Sequence, residues 1–70
     1  MNGKNTKKRI AVLFGGASTE YSVSLQSAYA VITSMDTGLY EQVLIGIAKD
    51  GRWFLYQGSP ERILNDTWLD

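Results

Sequence analysis

The chain has 70 residues, no cysteine, no histidine, and seven basic residues balanced by seven acidic ones. That composition excludes a disulfide frame, a Cys/His zinc site, a serine–histidine triad within the chain, and a net field drawing nucleic acid or an anionic membrane. Below roughly 70–80 residues one core seldom supplies more than about 3–5 kcal/mol. Without a staple, the chain is expected to be part of a larger fold.

Residues 1–8 are polar and read as a flexible basic tail, with Lys4, Lys7 and Lys8 followed at once by Arg9. This basic start before an apolar run imitates a secretion signal, but the run is too short and Gly15-Gly16 breaks it. No stretch approaches the roughly 20 apolar residues of a membrane span. Lack of cysteine fits a cytoplasmic protein.

Ile10-Ala11-Val12-Leu13-Phe14 is a continuous apolar run closed by glycine. It predicts a strand buried on both faces, as in parallel sheets. Ala17 to Ser22 follows as a polar loop. Leu25, Ala28, Tyr29 and Ile32 then recur at helical spacing, predicting an amphipathic helix that Ser22 caps and that stops near Met35. Val43-Leu44-Ile45-Gly46-Ile47 predicts a second buried strand. Asp50-Gly51 predicts a two-residue hairpin turn, because both residues tolerate positive φ, with Trp53 to Tyr56 returning antiparallel. Ser59-Pro60-Glu61 opens a short helix to about Asn65, with proline at its first position and an acid at its positive end. Trp68-Leu69-Asp70 follows with no further element.

The fold class is therefore α/β: a βαβ unit plus a β-hairpin. A parallel sheet needs cover on both faces, and only one full-length helix is present. Half of the apolar surface lacks a partner, which marks residues 9–70 as a partial domain.

Ligands of open α/β sheets bind beyond the carboxyl ends of the strands. The first such end is Gly15-Gly16-Ala17-Ser18-Thr19-Glu20, where two glycines permit a sharp bend and a close approach. It matches neither G-x-G-x-x-G nor G-x-x-x-x-G-K-[ST], and Glu20 sets negative charge where a phosphate would sit. Two readings of Glu20 stand at this point. It either complements the helix dipole, worth about 0.3–1 kcal/mol, or holds a substrate ammonium, worth about 1.5–3 kcal/mol. Ser18, Ser22 and Ser24 read as caps and turn formers, and Asp50 as a turn residue. Trp53, Phe54 and Tyr56 read as core or interface, since no basic face accompanies them for base stacking. Asn65-Asp66-Thr67 is a glycosylation sequon without meaning in a chain lacking a secretory signal.

The run from Lys8 to Ala28, with its strand, its Gly-Gly-x-Ser-x-Glu turn and its Val23-Ser24-Leu25-Gln26-Ser27-Ala28 helix start, resembles the opening of the D-alanine–D-alanine ligase family. Ile45-Gly46-Ile47 and Trp53 sit where that family has its second strand and hairpin. Glu20-Tyr21-Ser22-Val23-Ser24 and Asn65-Asp66-Thr67-Trp68-Leu69 resemble the vancomycin-resistance branch that joins D-alanine to D-serine; at Ser22 many D-alanine–D-alanine ligases have an acid. The resemblance implies the N-terminal piece of a Rossmann-like pre-ATP-grasp domain, inactive alone, in a cytoplasmic homodimeric ligase. It implies ATP and Mg2+ bound by other domains, D-alanine activated as an acyl phosphate, and attack by a second D-amino acid. It makes Glu20 the catalytic and substrate-binding residue for the ammonium of the first D-alanine. Val23 becomes a pocket neighbour, Ser24 a support for the loop, and Gly15, Gly16 and Ser18 loop-forming residues. No metal ligand is expected here. An ordinary D-alanine–D-alanine ligase and a stand-alone binding or dimerisation module using the aromatic hairpin are the alternatives.

Overall fold

A computed structural model describes residues 7–70. The elements are β1 (Lys8–Gly15), α1 (Tyr21–Ser34), β2 (Tyr40–Ile47), β3 (Trp53–Tyr56) and α2 (Pro60–Leu64). Most of the basic tail, residues 1–6, lies outside the described residues, and Lys8 already belongs to β1. The sheet order is β1-β2-β3, with β1 and β2 parallel and β2 and β3 antiparallel. The α/β class and the order of elements expected from the sequence hold. A helix between β1 and β2 is what their parallel pairing requires, since parallel strands need a crossover.

Alternation along the strands sorts their side chains to two faces. Ile10, Val12 and Phe14 of β1 share one face with Leu44 and Gly46 of β2 and with Phe54 and Tyr56 of β3. Against that face α1 lays Tyr21, Leu25, Ala28 and Ile32, and α2 adds Ile63. Trp68 completes the core edge-on to Phe14, with ring centroids 4.9 Å apart. It lies so close over Gly46 that a Cβ there would collide with the indole.

The other face carries Ala11, Leu13, Val43, Ile45, Trp53 and Leu55. Neither helix covers it, and Leu13, Trp53 and Leu55 are 46%, 62% and 66% exposed. Burial of the first strand on both faces is thus corrected: within this chain both helices lie against one face. The hairpin divides accordingly, with Phe54 and Tyr56 inward and Trp53 outward.

Three local expectations are corrected as well. The helix starts at Tyr21 rather than Ser22; Ser22 is exposed inside it and its end has no side-chain cap. The reason is Tyr21, which is 6% exposed and extends the apolar stripe one turn back to the core. Tyr29, expected on the stripe, is only half-buried. The hairpin is a three-residue connection: Ala48 N–H donates to Arg52 O, Gly51 N–H donates to Ala48 O, and only Gly51 has positive φ, at +92°. That geometry matches a turn closed by a left-handed residue.

Candidate functional site

The C-terminal end of β1 is shaped by its glycines. Gly15 and Gly16 have φ of +91° and +105°, and Gly16 N–H donates to Ile47 O at 2.8 Å. A side chain on Gly15 would collide with that same carbonyl, so only glycine lets the turn lie against the end of β2. Ser24, on the first turn of α1, accepts the Gly15 N–H on its Oγ at 3.0 Å. The hydroxyl thereby ties the strand end to the helix start across the turn.

Glu20 is held on both sides of its backbone. Its N–H donates to Ser18 Oγ at 3.1 Å, and its carbonyl accepts the Ser24 N–H at 2.8 Å. Its φ and ψ of −89° and 11° place it at the cap position of α1, yet its side chain makes no capping bond. Among the described residues the Glu20 carboxylate makes no hydrogen bond and no ion pair, and the residue is exposed. Val23, three residues on and 54% exposed, shares its side of the helix. The result is a free carboxylate beside a small apolar surface, on a backbone fixed by two hydrogen bonds. Such an arrangement accepts a cationic group and leaves room for a small side chain next to it.

Tyr21 was read from the sequence as part of a loop and was not a candidate. Its hydroxyl donates to Asp66 Oδ1 at 2.8 Å and accepts Trp68 Nε1–H at 3.0 Å. Lys49 Nζ stands 4.8 Å from its ring centroid. Burial pushes the phenol pKa up from 10.0, the Asp66 hydrogen bond adds to the rise, and the Trp68 N–H opposes it. The phenol therefore stays protonated and donates to the carboxylate. Asp66 itself sits at φ +59°, a left-handed position that Asp tolerates better than most residues. The usable signal in the sequence was spacing, since Tyr21 lies four residues before Leu25 on the apolar stripe.

At the end of β2, Asp50 is fully engaged. Its Oδ2 accepts Arg52 Nε–H at 2.8 Å and its Oδ1 accepts Arg52 N–H at 3.2 Å. The Arg52 backbone N–H is the main cause holding its carboxyl below the ordinary 3.8. Beyond the end of β2 lies an open hollow of about 440 Å³, lined in part by Tyr21, Lys49, Asp50, Arg52 and Asp66. Among the described residues no three His, Cys, Asp or Glu side chains gather as metal ligands would. No helix among them is long and apolar enough to cross a membrane.

The family described as the D-ala D-ala ligase N-terminus matches residues 9–69. The chain belongs to that family. Its relatives include the vancomycin C-type resistance protein VanC1 of Enterococcus gallinarum, 56% identical over 63 residues that make up 90% of this chain and 18% of VanC1. A D-alanine–D-alanine ligase of Clostridium acetobutylicum is 50% identical over 62 residues, 89% of this chain and 18% of that protein. Among solved structures, the VanG D-Ala:D-Ser ligase of Enterococcus faecalis superposes with a TM-score of 0.89 at 52% identity, over 91% of this chain and 19% of VanG. The chain thus spans about a fifth of the length of these ligases, and the mixed sheet described above is the N-terminal ligase fold.

Proposed function

We propose that this chain is the N-terminal part of a cytoplasmic, ATP-dependent D-alanine–D-amino acid ligase and supplies the site for the first D-alanine. One observation carries the reading: Glu20 is an exposed carboxylate without a partner among the described residues, set on a rigidly bonded turn at the carboxyl end of a parallel strand. The acid would accept hydrogen bonds from the substrate ammonium. Val23 would flank the substrate's methyl group, and Ser24 would hold the turn in shape through Gly15. In such a ligase ATP and Mg2+ supply the driving force and neutralise charge on the transferred phosphoryl group. The described residues do not fit as their ligands, with no acidic cluster among them, and the sequence has no phosphate-loop spacing. Those groups are assigned to the rest of the ligase, and no step through them is assigned to this segment.

The exposed apolar sheet face supports the same reading, because a face bearing Leu13, Trp53 and Leu55 is suited to burial against further polypeptide of the enzyme. The second amino acid is proposed to be D-serine, in a vancomycin-resistance role. Similarity to VanG and VanC1, together with Ser22 in a place where many D-alanine–D-alanine ligases carry an acid, supports that choice.

The test of the site is Glu20→Gln in the ligase that carries this chain. Loss of a charge-assisted bond of about 1.5–3 kcal/mol should raise KM for the first D-alanine roughly 10- to 100-fold, with KM for ATP nearly unchanged. Unaltered D-alanine kinetics would refute the role. The second-substrate reading is tested separately by giving the enzyme D-alanine and D-serine together. D-alanyl-D-serine should dominate the products by mass spectrometry, and D-alanyl-D-alanine in excess would return the chain to the ordinary ligase branch.

A further inference from the structure

The Glu20 carboxylate touches no fixed partner among the described residues, so its position depends on whatever holds the backbone on either side. The Ser18 bond before it and the Ser24 bond after it do this locally. Downstream, the next residue is Tyr21, and its anchorage comes from far along the chain. Asp66 and Trp68 lie 45 and 47 residues away in sequence, and both bond the same phenolic oxygen. The ring edge of Tyr21 also closes on Gly15, 3.2 Å from where a Cβ there would stand. One buried side chain therefore touches the start of the turn, forms its end, and is clamped by the segment after α2.

We propose that Tyr21, clamped by Asp66 and Trp68, is the positioning residue that fixes the Glu20 carboxylate for the substrate ammonium. This rests on the reading of Glu20 given above and names the device that makes that acid effective. Tyr21 has one hydroxyl, and here it serves as donor and acceptor at once, which fixes the ring against rotation about its position. Asp66 occupies a left-handed backbone position to present its carboxylate. That conformation is uncommon for a residue with a side chain, and it turns the segment after α2 back toward the turn. The clamp binds nothing itself. Its effect is to keep the first turn of α1, and with it the Glu20 backbone, from shifting when substrate arrives.

The experiment uses the complete ligase and five variants: Tyr21→Phe, Asp66→Asn, Asp66→Ala, Glu20→Gln and the Tyr21→Phe/Glu20→Gln pair. Tyr21→Phe keeps the ring and its burial but removes the hydroxyl. It should raise KM for the first D-alanine on the order of tenfold, as a displaced binding group does, while KM for ATP stays within about twofold. Asp66→Asn retains both an acceptor and tolerance of positive φ, so it should keep most of the D-alanine affinity. In the Glu20→Gln background, Tyr21→Phe should have little further effect, because residues acting through one contact are not additive. A merely structural tyrosine would instead raise both KM values together, or add its full effect on top of Glu20→Gln. Either outcome overturns the positioning role. If Glu20→Gln raises KM for D-alanine and Tyr21→Phe does not, the clamp is refuted and the site survives. If Glu20→Gln itself has no effect, the reading of the site falls, and the clamp with it. Should Tyr21→Phe fail to fold, the Asp66→Asn and Asp66→Ala pair carries the test, with equal KM values in the two overturning the proposal.

Discussion

Two carboxylates stand at the carboxyl ends of the two parallel strands, and they have opposite circumstances. Asp50, past β2, is engaged by Arg52 through backbone and side chain alike, and its hairpin is closed by residues no more than four apart. Glu20, past β1, makes no side-chain bond among the described residues, although the turn that carries it is braced by Ser18, Ser24, Ile47 and, through Tyr21, by Asp66 and Trp68. A turn that serves only to reverse the chain satisfies its acid locally. The substrate role proposed for Glu20 rests on the opposite case, a turn that fixes its backbone and leaves its acid free. The difference also predicts sensitivity: the hydrogen bonds that close the Asp50 hairpin are local, whereas the turn carrying Glu20 is braced by distant residues as well.

The strongest way to break that contrast is to remove Trp68. Trp68→Ala empties a core position against Phe14, Phe54 and Tyr56 and should cost about 3–5 kcal/mol. In the complete ligase, amide exchange should quicken more in the stretch 15–24, which loses a partner of Tyr21, than in 48–52, whose own hydrogen bonds are local. Equal loosening at both ends would erase the distinction. Ser24→Ala is a smaller perturbation of the same turn. It leaves the part-buried Gly15 N–H without its acceptor, a loss of about 1–3 kcal/mol, and should raise KM for D-alanine less than Glu20→Gln does. A larger rise than that of Glu20→Gln would mean that Ser24, not Glu20, is the principal contact.

The gentlest probe is alkaline pH. The Tyr21 phenol is raised above 10.0 in the folded chain, so folding holds its proton more tightly than the unfolded state does. Its stabilising contribution is fully present below the unfolded value and is lost as pH rises through the folded one. The difference in unfolding free energy between the parent and Tyr21→Phe should therefore be constant below about pH 10 and shrink above it. A difference that stays level through alkaline pH would show that the phenol's proton is not held by the fold.

Much of the fold was legible because it follows from periodicity. The run Ile10–Phe14 and the run Val43–Ile47 announced strands, and Leu25, Ala28 and Ile32 announced the helix face between them. What the sequence hid was tertiary. An aromatic such as Trp68 carries no periodic signal, and its burial comes from the open surface of Gly46 together with Phe14, Phe54 and Tyr56 around it. Tyr21 looked like a loop residue because serine and threonine surround it, and a polar neighbourhood outweighed the one apolar face it completes. Asp50-Gly51 was read as a two-residue turn, but pairing across Ala48 and Arg52 encloses one residue more. At the site, the glycines and Glu20 were visible as a spacing. That the Glu20 carboxylate would be free while Asp50 was engaged could not be read from residue types, since both are acids beside turns.

The contrast between the two acids reduces to one measurement, the KM for the first D-alanine in Glu20→Gln set against that in Asp50→Asn, each in the complete ligase at saturating ATP. The free carboxylate should matter and the engaged one should not: a rise of roughly 10- to 100-fold for Glu20→Gln, and a value near the parent's for Asp50→Asn. Equal effects in the two variants, or a larger one at Asp50, would contradict the assignment of the substrate site to the end of β1.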